Sequence, residues 1–323
     1  MAELTYRQAV AAGLAQEIER DRTVMLIGED IGAAGGVFKA TEGLFDRFGP
    51  TRIWDTPISE QAIIGTAMGA AMTGIRPVAE IMFSDFLATC WDGVANEIAK
   101  MRYMTGGQIC LPLVIRCANG GGVFFGAQHS QSVENWAMAV PGLKVVVPSS
   151  PADVKGLLAA AIRDDDPVIF FEHKELYART GEVPDGEYVL PLGQANVVRR
   201  GSDITLVALA ATVGIALQAA ERLSEEDGME AEVIDLRCLV PLDVQTVLES
   251  VGQTGKLVII EETPRALGWG AELTSLVVEE AFDSLDGPIL RVTAEPVPLP
   301  AAPSLENLAR PSVERTLKTI RRA

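Results

Sequence analysis

The sequence predicts an α/β protein of two doubly wound domains, each a parallel sheet with helices on both faces. Three observations predict it. Short β-branched, apolar runs recur along the chain, and helical patterns separate them. One stretch rich in Gly, Pro and charge interrupts the alternation before it resumes. Strands buried on both faces read as unbroken apolar runs, and helices are what cover them. At 323 residues the chain is long enough for two domains and a large core without disulfides.

The elements follow in order. The runs "TVMLIG" (23–28), "PVAEIMF" (77–83), "LPLVIRC" (111–117), "LKVVVP" (143–148) and "PVIFFE" (167–172) read as buried strands. Between them "QAIIGTAMGAAM", "FLATCWDGVANEIAKMRYM" and "PADVKGLLAAAIRD" read as helices. Residues 173–202 carry the Gly, Pro and charge that mark a connection, which divides the chain into domains at 1–185 and 186–323. The alternation then returns. "ITLVALA", "EAEVIDLR", "KLVIIEE" and "ILRVTA" read as strands, and "VGIALQAAERLSEEDG" is a helix closed by Gly228. "DVQTVLESVGQTG" and "GAELTSLVVEEAF" are further helices, and a proline-rich passage leads to a last short helix around "PSVERTLKTIRR".

Charge excludes some functions. The net charge is −17 and the isoelectric point about 4.6, which argues against nucleic acid, since phosphate binding needs clustered Lys and Arg. A basic protein partner is compatible with that surface. Four cysteines (Cys90, Cys110, Cys117, Cys238) form no C-x-x-C, and His129 and His173 are the only histidines. No zinc site is indicated, and the cysteines are expected as small core residues. No signal or transit pattern opens the chain, and the apolar run 62–72 falls short of the ~18 residues of a membrane span. The expectation is a cytoplasmic protein with no membrane partner.

In parallel α/β sheets, ligands bind at the carboxyl ends of the strands. No G-x-G-x-x-G follows a strand and no G-x-x-x-x-G-K-[ST] occurs; "NGGGVFFG" has its glycines at the wrong spacing. Two residues stand out instead. Glu60 opens the small, apolar helix of "DTPISEQAIIGTAMGAAMTG" behind Ser59, a candidate N-cap. An acid there complements the helix dipole. The helix has no polar face and is expected to be enclosed, so Glu60 also reads as a poised, partly dry proton-transfer group. His129, in "GAQHSQSVENW", follows a glycine-rich loop; it reads equally as a structural histidine or as a titrating group at a site.

"GEDIGAAGGVFKATEGL", "DTPISEQAIIGTAMGAAMTGIRPVAEI", "AQHSQS", "PGLKVVVPSSPADVKGLLAAAIRDDDPV" and "EVIDLRCLVPLD" follow one another in this order. Over nearly the whole chain they resemble the beta subunit of the thiamine diphosphate-dependent dehydrogenase component of 2-oxo acid (pyruvate or branched-chain) and acetoin dehydrogenase complexes. Transketolase shares the two modules. The resemblance implies a pyrimidine-binding thiamine diphosphate domain at 1–185 and a transketolase-type C-terminal domain at 186–323. It also implies an α₂β₂ heterotetramer with a beta–beta contact. The alpha subunit would hold the cofactor's diphosphate with Mg²⁺ through a G-D-G motif absent here, and a lipoyl-bearing dihydrolipoyl acyltransferase would receive the acyl group.

The resemblance also assigns residues. Glu60 matches the glutamate that hydrogen-bonds the pyrimidine N1′ and favours its imino tautomer. Phe86 matches the aromatic packed against that ring, and Ile58 a backbone contact to it. Glu29, in "GEDIG", falls in a loop near the cofactor. His129 matches a histidine that assists proton transfer or reductive acylation of the lipoyl group. The carbonyls of Leu113, Ala161, Ile162, Asp164 and Asp166 match a monovalent-cation (K⁺) site, although composition alone reads "RDDDP" as a solvated acidic turn. Gly93 departs from the D-Q-[IVL]-x-N-[QE]-A-A-K pattern of many relatives, while Asp92, Asn96, Glu97 and Lys100 keep it. Oxidative decarboxylation with acyl transfer to lipoamide is the expected activity, with acetoin cleavage or a subunit of a split transketolase as alternatives.

Overall fold

The structure, a computed structural model, describes residues 1–322. Two compact units emerge: residues 1–119 with 136–192, and residues 120–135 with those from 193 onward.

In the first unit, β1 (Ala2–Thr5) pairs antiparallel with β8 (Thr180–Val183), inside the stretch that the sequence reads as a connection. Helix α1 (Tyr6–Arg20) starts in a capping box: Thr5 Oγ1 accepts from the Gln8 amide, and the Gln8 side chain accepts from the Thr5 amide. The main elements are β2 (Val24–Gly28), α2 (Leu44–Phe48), β3 (Ile53–Asp55), α3 (Glu60–Met72), β4 (Arg76–Ile81), α4 (Leu87–Asp92), α5 (Ala99–Met104) and β5 (Val114–Asn119). The short α6 (Glu134–Met138), then β6 (Lys144–Val146), α7 (Pro151–Arg163) and β7 (Val168–His173) follow. Within this unit the strands lie in the order β6-β7-β5-β4-β2-β3, and all these pairs are parallel. That is the expected sheet: β2, β5 and β7 are buried at every position.

The helix expected over 86–104 is broken. Cys90 leaves helical geometry (φ −127°, ψ 18°), and residues 93–98 form a π-helical turn before α5 resumes. The turn sits where Gly93 leaves room for a neighbour: a Cβ there would lie 3.1 Å from Ile64 Cγ2 and 3.3 Å from Gln61 Nε2. Helix α3 thus packs close against the break.

The second unit contains β9 (Asn196–Arg199), β10 (Ile204–Ala208), α8 (Thr212–Asp227), β11 (Ala231–Asp235), β12 (Cys238–Val240), α9 (Val244–Thr254), β13 (Leu257–Pro264), α10 (Trp269–Ala281), β14 (Leu290–Ala294), α11 (Pro303–Ala309) and α12 (Val313–Ile320). Its sheet runs β14-β13-β10-β11-β9, parallel except for the antiparallel edge strand β9. Gly228 and Gly255 end α8 and α9 in the left-handed region (φ 64° and 69°), as the sequence predicts for Gly228. Ile204, Leu206, Val258, Ile260, Leu223 and Leu317 belong to one core between sheet and helices. Cys90, Cys117 and Cys238 are buried, whereas Cys110, expected in a core, is exposed.

Candidate functional site

The carboxyl edge of the first unit's sheet gathers four of the sequence-predicted residues. Glu29 directly follows β2, Ile58 and Glu60 follow β3, and Phe86 lies five residues beyond β4. In a parallel sheet these strands end on the same side, so their loops share one edge.

Glu60 is the first residue of α3 and is half-buried. Ser59 takes the N-cap position, but its side chain makes no capping hydrogen bond, and its φ/ψ (−166°, 89°) is not helical. The first turn therefore keeps its unpaired amides, and the Glu60 charge is what complements them. The expected enclosure of α3 is overturned. Ile63, Ile64, Ala67 and Ala71 are buried, but Ala62, Gly65, Thr66 and Gly69 form an exposed flank, and a Cβ on either glycine would meet nothing within 4 Å. Among the described residues α3 is therefore covered on one side only.

Glu60 acts on its surroundings electrostatically. Burial raises the Glu29 carboxyl above its ordinary range, and the Asp30 and Glu60 charges raise it further. Burial, followed by the Glu60 charge, pushes the Cys90 thiol up to about 12. Burial and the neighbouring negative charges together favour the protonated form of Glu29. Phe86 is half-buried, 5.5 Å from the Phe83 ring; Phe83 in turn lies 5.6 Å from Phe38, which stacks on Tyr177 at 4.9 Å. Ile58 is 75% exposed, so its main chain is accessible.

A charged network that the sequence reading missed lies beneath this edge. Arg116, on β5, donates from Nε and Nη2 to Glu172 on β7 (2.6 and 2.8 Å) and from Nη1 to Glu80 on β4 (2.7 Å). Tyr177 Oη donates to Glu172 at 2.9 Å. Burial pushes the Glu80 carboxyl up, and Arg116 opposes the shift. The signal was one charge inside each of three otherwise apolar runs, on adjacent strands.

The carbonyls matched to a cation lie at the opposite edge, near the amino ends of β5 and β7. Arg76 Nη1 donates to the Ile162 and Asp164 carbonyls (3.1 and 2.9 Å), and its Nη2 donates to Asp165 Oδ1 at 2.5 Å. The Leu113 carbonyl accepts from Val168 N (2.9 Å) and that of Ala161 from Asp164 N (3.3 Å). Lys144 Nζ lies 2.7 and 2.6 Å from the Asp164 carboxylate oxygens, and Arg102 pairs with Asp166. The carbonyls of Leu113, Ala161, Ile162 and Asp164 thus each accept from a protein donor. Among the described residues no group of three or more His, Cys, Asp or Glu could hold a metal ion.

His129 belongs to the second unit, half-buried in the glycine-rich loop after β5, where its amide donates to the Gly126 carbonyl at 3.2 Å. Gly120 N donates to the Gln131 carbonyl (3.0 Å), closing the loop at its base. Gly120, Gly122 and Gly126 all have positive φ (81°, 88° and 79°), which explains the glycine run.

Comparison with known proteins bears on the family and the fold. Residues 2–180 match the family model described as "Transketolase, pyrimidine binding domain", and residues 193–316 that described as "Transketolase, C-terminal domain". The chain is 46% identical to the 2-oxoisovalerate dehydrogenase subunit beta of Bacillus subtilis (strain 168), covering 95% of this chain and 94% of the relative. It is 45% identical to the acetoin:2,6-dichlorophenolindophenol oxidoreductase subunit beta of the same organism, over 97% of this chain and 94% of that one. Against the mitochondrial pyruvate dehydrogenase E1 component subunit beta-2 of Oryza sativa subsp. japonica it is 46% identical, covering 99% and 86%. Among solved structures, a split gene transketolase, described as an inactive beta4 tetramer, superposes with a TM-score of 0.81 at 24% identity over 99% of this chain and 98% of that one. At that identity the likeness shows the fold.

Proposed function

The chain belongs to the transketolase-like E1 beta subunits of 2-oxo acid and acetoin dehydrogenases, and from that premise we propose that it is the beta half of a thiamine diphosphate-dependent 2-oxo acid dehydrogenase. Residues 1–185 would form the pyrimidine-binding domain and 186–323 the transketolase C-terminal-type domain. Its partner would be an alpha subunit that supplies the Mg²⁺-diphosphate half in an α₂β₂ assembly, with a lipoyl-bearing acyltransferase as acyl acceptor.

One observation supports the reading: Glu60 starts α3 at the same carboxyl edge of the sheet that places Glu29, Ile58 and Phe86. An accessible acid beside an exposed backbone (Ile58) and an aromatic face (Phe86) fits an aminopyrimidine ring. When bound, thiamine diphosphate supplies the nucleophilic carbon and the electron sink that cleavage beside a carbonyl requires. Glu60 would hydrogen-bond the ring nitrogen and hold a proton on it, favouring the imino tautomer. Phe86 would fix the ring plane, and the Ile58 carbonyl would accept from the exocyclic amine. Glu29, already disfavoured as an anion, would be ready to carry a proton beside them. His129 would hand a proton to the acceptor during acyl transfer. K⁺ would sit on the carbonyls of Leu113, Ala161, Ile162, Asp164 and Asp166, the first four of which also accept from Arg76 or from backbone amides.

Acetoin cleavage is the second reading, since the acetoin and 2-oxoisovalerate relatives are almost equally similar. The test is co-expression with an alpha-type subunit, titration with thiamine diphosphate and Mg²⁺, and turnover on pyruvate, 2-oxoisovalerate and acetoin. Saturable binding and turnover, both lost in Glu60→Ala, support the proposal, and the preferred substrate separates the two readings. A pair that binds no thiamine diphosphate would overturn both.

A further inference from the structure

In the second unit a single carboxylate oxygen grips both legs of the His129 loop. Glu262, at the end of β13, accepts on Oε1 from Gly121 N (2.6 Å) and from Ser132 Oγ (3.0 Å). Its other oxygen, Oε2, accepts from Arg310 Nε and Nη2 (3.0 and 2.8 Å). Next to it Glu306, on α11, accepts on Oε1 from Gly122 N. Both acids and Arg310 are buried (8%, 0% and 8% exposed). There is no slack at the grip: a Cβ on Gly121 would stand 2.8 Å from Leu299 Cδ1, 3.0 Å from Glu306 Oε1 and 3.1 Å from Arg310 Cδ.

A buried carboxylate is costly unless hydrogen-bonded and paired. Here two of them spend that pairing on the amides of one loop, and Arg310 pairs with Glu262. Glu306 Oε2 is buried and has no hydrogen-bond partner among the described residues. An arrangement built only for stability would satisfy both oxygens or bury apolar groups in their place. The cost makes sense if the loop's position matters.

We propose that Glu262, Glu306 and Ser132 are positioning residues that fix the loop 120–132 so that His129 is presented in one geometry for acyl transfer. Glu262 sets the width of the loop base, and Glu306 sets the height of its first leg. The side chain of His129 then hangs three residues from a fixed point at Ser132. This rests on the role given to His129 above. Misplacement by about 1 Å costs a reaction on the order of 10²-fold.

The experiment uses the co-expressed α/β complex and the variants Ser132→Ala, Glu306→Ala and Glu306→Gln. Ser132→Ala removes a half-buried hydroxyl and carries little folding risk. Glu306→Gln keeps an acceptor for Gly122 N. Three quantities are read: hydrogen exchange of the peptide spanning 119–133, thiamine diphosphate affinity, and turnover with lipoamide against turnover with the dye 2,6-dichlorophenolindophenol. Faster exchange in that peptide alone, unchanged cofactor affinity and a tenfold to hundredfold loss confined to lipoamide turnover are expected for Ser132→Ala and Glu306→Ala. Glu306→Gln restores most of it. Unchanged exchange in Ser132→Ala, or faster exchange with lipoamide turnover intact, would overturn the proposal. If wild-type protein turns over no substrate, the functional reading above fails by itself, and unchanged exchange in both alanine variants would still overturn the clamp.

Discussion

Arg116 meets Glu172 through two parallel hydrogen bonds of 2.6 and 2.8 Å, and the side chains are only 2% and 0% exposed. Glu80 accepts from Nη1 and Tyr177 Oη donates to Glu172, so three of the five guanidinium N–H groups meet carboxylate oxygens.

Removing one member should be far worse than removing the charge altogether. Arg116→Met leaves Glu172 buried without its cation and is expected to cost about 3–5 kcal/mol in urea unfolding. The double variant Arg116→Met, Glu172→Met should recover part of that loss, since Glu80 still lacks its cation. If the single variant costs under 1 kcal/mol, the network is solvated in solution.

At the other edge of the same sheet, Arg76 answers the last carbonyls of α7. The wild-type melting temperature should be higher in K⁺ than in choline at equal ionic strength. Arg76→Ala frees the Ile162 and Asp164 carbonyls and should lose about 1–3 kcal/mol. K⁺ should recover part of this in the variant. A K⁺-independent melting temperature in wild type would leave the ion without a place in the turn.

Acid should loosen the second unit at its terminal helix. Arg222 first, then Arg321, lowers the Glu226 carboxyl to about 2, and Arg321 also pairs with Asp227. A lowered carboxylate stabilises the fold above its unfolded value of 4.5, and that contribution is lost as pH falls toward 2. Protection of the amides across 313–320, measured relative to intrinsic exchange at each pH, should therefore fall between about pH 4.5 and 2. Because these groups are exposed, 1 M salt should produce part of the same effect at neutral pH. Protection unchanged across that window would refute the linkage.

Gly142 offers the simplest steric test. Its φ is +103°, and a Cβ would stand 2.0 Å from the Ala99 carbonyl oxygen. Gly142→Ala should lose more than about 3 kcal/mol through combined strain and overlap, whereas Gly186→Ala, with nothing within 4 Å, should lose far less despite its positive φ. Similar melting temperatures for the two variants would contradict the packing of residues 99 and 142.

Sequence legibility followed burial. Strands such as β2 and β7 were readable because every position is apolar and inside, whereas β1, β3 and β8, three or four residues long and partly exposed, have no pattern to read. The break in 86–104 was hidden because Cys90 and Gly93 sit inside an otherwise regular apolar period. At the site, Glu60 was legible as a lone acid at a helix start. Its environment was misjudged because small residues look alike whether they line an interior or an open flank. Glu262 and Glu306 could not be found from spacing, since they meet Gly121 and Gly122 across 141 and 184 residues.

The open flank of α3 has a thermodynamic side. Gly65 and Gly69 each weaken a helix by about 1 kcal/mol relative to Ala, and on this flank nothing in the chain packs back to compensate. The segment that begins with Glu60 is therefore among the easier parts of its unit to unwind. Whatever settles against that flank stiffens the helix as it docks, and the orientation of the Glu60 carboxylate is ordered in the same event.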